Sequence, residues 1–229
     1  MRYITNTNII KLRNIGRRIG LNNLLAKLIN KKGYEINFDD SFNGHLKVGD
    51  CVWDVAANIG YYTKLFAKRV GSEGIVHAYE PSKINFKILT NNCSKLTNIV
   101  CHPFGIGDKN TVLNFIQGTD ELGATSHFAE NKEIGEMIEI KTGDYLIDEG
   151  MTPPNAMKID VEGFELEVLN GILKNIHNKF LRLIDIEVHF KLLKDRGMSI
   201  APSKIELILK EHDFNIHWID TSHIIAVKN

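Results

Sequence analysis

From Gly49 onward, short apolar runs alternate with longer amphipathic ones. CVWDVA, GIVHAYE, NIVCHPF, NAMKID and LRLIDIEVHF read as buried strands. Between them, GYYTKLFAKRV, the segment opened by Pro81-Ser82, and VEGFELEVLNGILK read as helices, with Leu65, Phe66, Ala67 and Val70 on the apolar side of the first. Strand–helix alternation with strands apolar on both faces predicts an α/β fold on a mostly parallel sheet. Residues 202–213 predict a further helix, and DFNIHWID with HIIAVKN a closing antiparallel hairpin. TVLNFIQ and MIEIKT predict strands flanking a polar loop through residues 118–136. In such a sheet, ligands bind beyond the carboxyl ends of the strands.

The rest of the composition narrows the class. The 229 residues suffice for one domain with a sizeable core. Formal net charge is zero, which gives no whole-molecule signature of nucleic-acid binding. Three scattered cysteines without CxxC spacing argue against a disulfide scaffold and a zinc site. No apolar run reaches membrane-spanning length, and MRYITNTNIIKLRNIG lacks signal-peptide features, so a cytoplasmic setting is expected. Before Glu35 the chain is purely basic, with Arg2, Lys11, Arg13, Arg17, Arg18, Lys27, Lys31 and Lys32. Leu12, Ile15 and Ile19, then Leu24, Leu25 and Leu28, fall at helical spacing. Residues 1–45 therefore read as a basic helical extension packing on a main domain of 46–229. Its basic face is either solvated or a surface for an anionic substrate or membrane headgroups.

The turn after the first strand is the first chemical clue. In VWDVAANIGYYT, Asp54 ends the strand, and the turn to Gly60 uses the smallest residues available. A second carboxylate, Glu80, ends the next strand, just before Pro81. Small turn residues admit close passage of a ligand, and the helix start beyond Gly60 offers N–H groups to an anion. Two strand-end carboxylates suit a diol and a cationic group. S-adenosylmethionine (SAM) combines all three features. A dinucleotide site would need G-x-G-x-x-G, and a P-loop G-x-x-x-x-G-K-[ST]; neither is present.

D-V-A-A-N-I-G-Y-Y-T, A-Y-E-P, G-I-G-D, L-G-A-T-S and M-K-I-D-V-E-G-F-E-L-E-V-L-N-G together resemble the FkbM family of SAM-dependent methyltransferases, in matching order over about residues 48–228. The resemblance implies a class I methyltransferase fold: a seven-stranded Rossmann-like sheet with helices on both faces and an antiparallel C-terminal hairpin. It also implies O-methylation of hydroxyls, in many members on glycan sugars or natural products. Alanine at Ala56 replaces the family's glycine and narrows the cofactor turn. The expected cofactor-side residues are Asp54, Ala56, Ala57, Asn58, Gly60, Tyr61, Tyr62, Glu80, Pro81, Ser82, Phe104, Gly105 and Asp160.

Catalytic candidates cluster at later strand ends. Lys158, Asp160 and Glu162 alternate, as do Glu187 and His189, so each set points one way in an extended segment. Asp160, Glu187 and His189 form either an acid–base set with His189 as base or a divalent-metal set, with the base reading preferred. Glu165 reads as a helix-dipole residue. Ser126, His127 and Glu162 are candidate acceptor contacts. His223 reads as an unpartnered surface or core residue. The leading expectation is a SAM-dependent O-methyltransferase acting on a carbohydrate or related small-molecule hydroxyl. Alternatives are a SAM-fold binding protein without catalysis and an NAD-dependent enzyme.

Overall fold

The computed structural model describes residues 41–116, 127–128 and 135–228. The basic segment 1–40 and the loop residue Ser126 lie outside the described residues. The chain divides after Gly44, and everything below concerns the unit His45–Asn229.

Seven strands form the main sheet: β1 (Cys51–Val55), β2 (Ile75–Tyr79), β3 (Ile99–His102), β8 (Ala156–Ile159), β9 (Leu183–Glu187), β10 (Asn215–Trp218) and β11 (His223–Val227). Their order is β10-β11-β9-β8-β1-β2-β3. The pairs from β9 to β3 are parallel, whereas β11 runs antiparallel to both β9 and β10. Strands β1 and β8 are buried along their whole length, as continuous apolar runs in a covered parallel sheet must be.

A second sheet is built from β4 (Gly105–Ile106), β5 (Thr111–Ile116), β6 (His127–Phe128) and β7 (Glu136–Lys141), in the order β4-β7-β5-β6. The two runs expected to flank a polar loop therefore pair antiparallel as β5 and β7.

Helix α1 (Tyr61–Val70) starts beyond Gly60, which holds φ +82°, and carries Lys68 and Arg69 in its last turn, where cations favour the dipole. It buries Thr63, Phe66, Ala67 and Val70. Thr63 takes the buried place expected of Leu65, because its hydroxyl donates to Asp54 beneath it. Helix α2 (Lys83–Cys93) is capped by Ser82, whose side chain accepts from the Asn85 N–H. The remaining helices are α3 (Gly143–Asp148), α4 (Glu165–Asn170), α5 (Leu173–Ile176), α6 (Phe190–Asp195) and α7 (Ala201–Glu211).

The single helix expected over residues 161–174 is two, α4 and α5. Between them, Gly171 lies so close to the Gly107 carbonyl that a Cβ would sit 1.9 Å from its oxygen. The chain must break there to pass the second sheet's entry loop. Trp53, Met157, Ile159, Ile184 and Ile186 form the centre of the core, packed with Leu169, Ile172 and Ile205 from the helices. Trp53 keeps its indole N–H satisfied on the Thr152 carbonyl at 3.2 Å.

Candidate active site

A cleft of about 470 Å³ opens at the carboxyl ends of β1, β2 and β8 and is walled on its other side by the second sheet. Of the expected cofactor residues, Ala56, Asn58, Glu80, Pro81, Gly105 and Asp160 line it. The turn after β1 is left-handed at two non-glycine positions, Ala56 (φ +61°) and Asn58 (φ +51°). That geometry costs an L-residue roughly 1–2 kcal/mol. It swings the Asn58 N–H toward Glu80, whose Oε2 accepts it at 2.9 Å, while Oε1 accepts the Ser82 N–H at 3.0 Å. Glu80 is thus fixed by two backbone donors at the cleft edge. Burial pushes its carboxyl up to about 7, against the lowering effect of those two hydrogen bonds.

Asp54 is placed differently from expectation. It is fully buried and absent from the cleft lining. Its Oδ2 accepts the Thr63 hydroxyl at 2.6 Å, and its Oδ1 lies 3.9 Å from Lys158 Nζ. Strand register explains the contact, because Asp54, Lys158 and Asp185 stand side by side on β1, β8 and β9. Asp54 therefore braces the turn from beneath. Among the others, Ala57, Ser82 and Phe104 are buried supports. Gly60 caps α1. Tyr61 is half exposed. Tyr62 stacks on Phe66 and receives Lys158 Nζ over its ring.

At the end of β8, Lys158 Nζ contacts Asp160 Oδ2 at 3.2 Å. Burial works against the lysine charge, yet Asp160, Asp54 and Asp185 hold its pKa above the ordinary value. Asp160 is the converse case: burial works to raise its pKa, and Lys158 and His189 overcome it and hold the carboxyl below the usual range. At Asp185 the compensation falls short. It is 1% exposed, neither oxygen has a hydrogen-bond partner, and burial pushes its pKa up to about 8 against the lowering effect of His223 and Lys158.

His189 caps the start of α6 just beyond β9 and is ringed by acids. Its Nδ1 lies 2.8 Å from Glu165 Oε1. Its Nε2 lies 3.2 Å from Glu162 Oε2, 3.8 Å from Asp160 Oδ1 and 3.9 Å from Glu187 Oε1. Burial alone would lower its pKa, but the Glu165 hydrogen bond, with Glu162, Asp160 and Glu187, raises it to about 9. An imidazole holding its proton cannot accept another, so this surrounding disfavours the expected role of His189 as base at neutral pH. Of the expected trio and its neighbour Glu162, Asp160 and Glu162 line the cleft, whereas Glu187 and His189 do not. The tightest set able to hold a cation is Asp160, Glu162 and His189, with Glu187 at its rim, 3.9 Å from His189 Nε2.

Two residues that sequence reasoning passed over complete this site. Glu165 is fully buried and accepts from both His189 and the Gly163 N–H at 2.7 Å, so it orients the ring instead of only favouring the helix dipole. His223 is partnered: Asp220 Oδ2 lies 2.9 Å from its Nδ1 and Glu187 Oε2 lies 3.3 Å from its Nε2. Burial opposes its charge, but these partners raise its pKa to about 10. The Asp220–His223 spacing across a tight turn was the one available signal. Of the acceptor candidates, Glu162 is in the cleft, and its φ of +49° turns it there. His127 begins β6, paired with Ile116.

Comparison with known proteins agrees with this architecture. Residues 54–216 match the methyltransferase FkbM domain. Hexuronic acid methyltransferase AglP of Haloferax volcanii is 28% identical over 177 residues, covering 73% of this chain and 70% of AglP. Methyltransferase 1 of Beauveria bassiana is 25% identical over 195 residues, covering 71% of this chain and 74% of its own. The crystal structure of methyltransferase FkbM from Methylobacillus flagellatus KT superposes with a TM-score of 0.55 at 19% identity, over 80% of this chain and 44% of that one. At that identity the likeness is one of fold, and this chain spans under half of the solved protein. Among the described residues, no helix is long and apolar enough to cross a membrane. The strand order, the antiparallel β11 and the domain match together show that the chain has the class I methyltransferase fold and belongs to the FkbM methyltransferase family.

Proposed function

We propose that this chain transfers a methyl group from SAM to a hydroxyl of a carbohydrate or a related small molecule. One observation carries the reading: a single cleft joins the Ala56–Asn58 turn and Glu80 to the acidic end of β8. The donor chemistry fits SAM. Glu80 is a preset acceptor for a diol, held by two backbone N–H groups that leave its other lone pairs for the cleft. SAM supplies an electrophilic methyl on a sulfonium.

The protein's share is positioning, which supplies much of the acceleration in such reactions. Asp160 and Glu162 stand where an acceptor hydroxyl donates to them, which points its lone pair at the methyl group. As the new C–O bond forms, the hydroxyl becomes strongly acidic, and these carboxylates take its proton. The similarity to a hexuronic acid methyltransferase supports a sugar acceptor.

Methyl-labelled SAM incubated with the protein and a panel of mono- and oligosaccharides tests this. Label on a sugar hydroxyl is the expected result. Binding of NADH in preference to SAM by calorimetry would overturn the cofactor reading. SAM binding with no transfer to any hydroxyl acceptor would favour a binding protein.

A further inference from the structure

We propose that His189, Asp160, Glu162 and Glu187 form a binding site for one divalent first-row metal ion, of the Mn²⁺ class, at the cleft end of β8 and β9. The distances come first. Metal–oxygen and metal–nitrogen bonds of about 2.1 Å put neighbouring donors about 3.0 Å apart at a right angle and about 3.4 Å apart at a tetrahedral angle. The Glu162 oxygen, 3.2 Å from His189 Nε2, meets that spacing, and the Asp160 and Glu187 oxygens, at 3.8 and 3.9 Å, lie beyond it and would close in on a bound ion. Donor atoms of Asp160, Glu162 and His189 all fall within 4.8 Å of one another.

The second line of support is what holds the donors. On three of the four side chains, the atom turned away from the common point has its own partner. His189 Nδ1 is taken by the fully buried Glu165, Asp160 Oδ2 by Lys158, and Glu187 Oε2 by His223. The Glu165 contact fixes the ring orientation and directs Nε2 inward. A carboxylate behind a histidine and partners behind each ligating carboxylate are the outer shell that metal sites use to aim their ligands.

One imidazole with carboxylate oxygens selects among ions. Oxygen donors suit Mg²⁺ and Mn²⁺, while the imidazole favours a transition ion, so Mn²⁺ meets both. The absence of thiolates from this set disfavours a soft-metal site. An ion here would neutralise the carboxylate cluster and draw the acceptor oxygen to the cleft wall, lowering the pKa of its hydroxyl. That role rests on the O-methyltransferase reading; the binding site itself does not.

The test therefore measures metal without SAM or acceptor. Mn²⁺ titrated into the purified full chain is followed by loss of the free-ion electron paramagnetic resonance signal, with the melting temperature read in parallel. One bound Mn²⁺ per chain and a rise in melting temperature are expected. Glu162→Gln and Asp160→Asn are the first variants, and each should weaken Mn²⁺ binding at least about tenfold. Glu165→Gln, which leaves every direct donor in place, should weaken it by about 10–100-fold. SAM affinity of the Glu165→Gln protein, whose altered residue is outside the cleft lining, should stay unchanged, which reports that the cleft is intact. No bound Mn²⁺ at millimolar concentration would overturn the proposal. So would equal binding by wild type and by folded Asp160→Asn and Glu162→Gln variants. Metal binding without methyl transfer would leave this site standing and count against the proposed reaction alone.

Discussion

Oε1 of Glu165 lies 2.8 Å from Nδ1 of His189, and the carboxylate making that contact is fully buried at the start of α4. The same oxygen accepts the Gly163 N–H at 2.7 Å, so the β8–α4 turn and the histidine ring are locked to one atom. Replacing it with glutamine keeps an oxygen able to accept from both donors, but it removes the carboxylate charge behind His189 and buries an amide NH2 where Oε2 has no partner. Glu165→Gln should lower methyl-transfer turnover by about 10–100-fold, the usual cost of losing an outer-shell partner. SAM affinity should change little, because Glu165 is outside the cleft lining. Steady-state kinetics beside calorimetry separates the two; an equal loss in both would place Glu165 in the cofactor pocket.

Glu80 ties affinity to pH. Its carboxyl is raised to about 7 by burial, and the ionised form is the better acceptor for ribose hydroxyls. Protonation competes with cofactor binding, so SAM affinity should fall as pH drops below about 7, by up to about tenfold per pH unit. Glu80→Ala should weaken binding by about ten- to a hundredfold at pH 8 and remove that dependence, since hydrogen bonds to a charged group contribute roughly 1.5–3 kcal/mol. Calorimetry at several pH values checks both. A pH-independent wild-type affinity would separate Glu80 from the ribose.

Ala56 holds φ +61° in the turn that faces the cleft. Glycine would relieve roughly 1–2 kcal/mol of backbone strain and return about 0.5–1 kcal/mol as extra freedom of the unfolded chain. Ala56→Gly should therefore raise stability by up to about 1.5 kcal/mol by those two terms, with SAM affinity held or improved. Urea denaturation and calorimetry measure the pair. A clear loss of affinity would show that the methyl group is a fitted contact.

Asp185 sets a slope on stability. Its folded pKa of about 8 lies above the ordinary carboxylate range, so between the two the folded state holds a proton that the unfolded state has released. Stability from this group is present in full below the unfolded pKa and declines as pH rises to about 8, at no more than about 1.4 kcal/mol per unit. Asp185→Asn removes the titration and should flatten that part of the stability–pH curve. Denaturant unfolding from pH 5 to 8.5 reads the difference; parallel curves would show that Asp185 does not titrate there.

Features set by neighbouring residues were legible in the sequence. The strands from CVWDVA to LRLIDIEVHF carry their own apolar runs, and Glu80 stands at a strand end before a proline. Features that depend on distant partners were not. Glu165 and His189 are 24 residues apart, and a glutamate at a helix start has a sufficient local explanation. The break between α4 and α5 falls where Gly171 meets the Gly107 backbone, in the loop between β4 and β5 and far away in the sequence. Asp54 reads as a ligand residue because it ends a strand beside small residues. Only the register that sets it beside Lys158 shows it turned into the core.

The cleft's two walls come from different parts of the chain. Ala56, Asn58, Glu80 and Asp160 are spread over more than a hundred positions, whereas the opposing wall draws Gly105, Thr111, Leu113 and Ile140 from one uninterrupted stretch between β3 and β8. A recombination event, or a cloning step, at two junctions would exchange that whole wall while leaving the Glu80 side untouched. The stretch from residue 105 to 141 is thus a cassette, a wall that can be swapped as one piece of sequence.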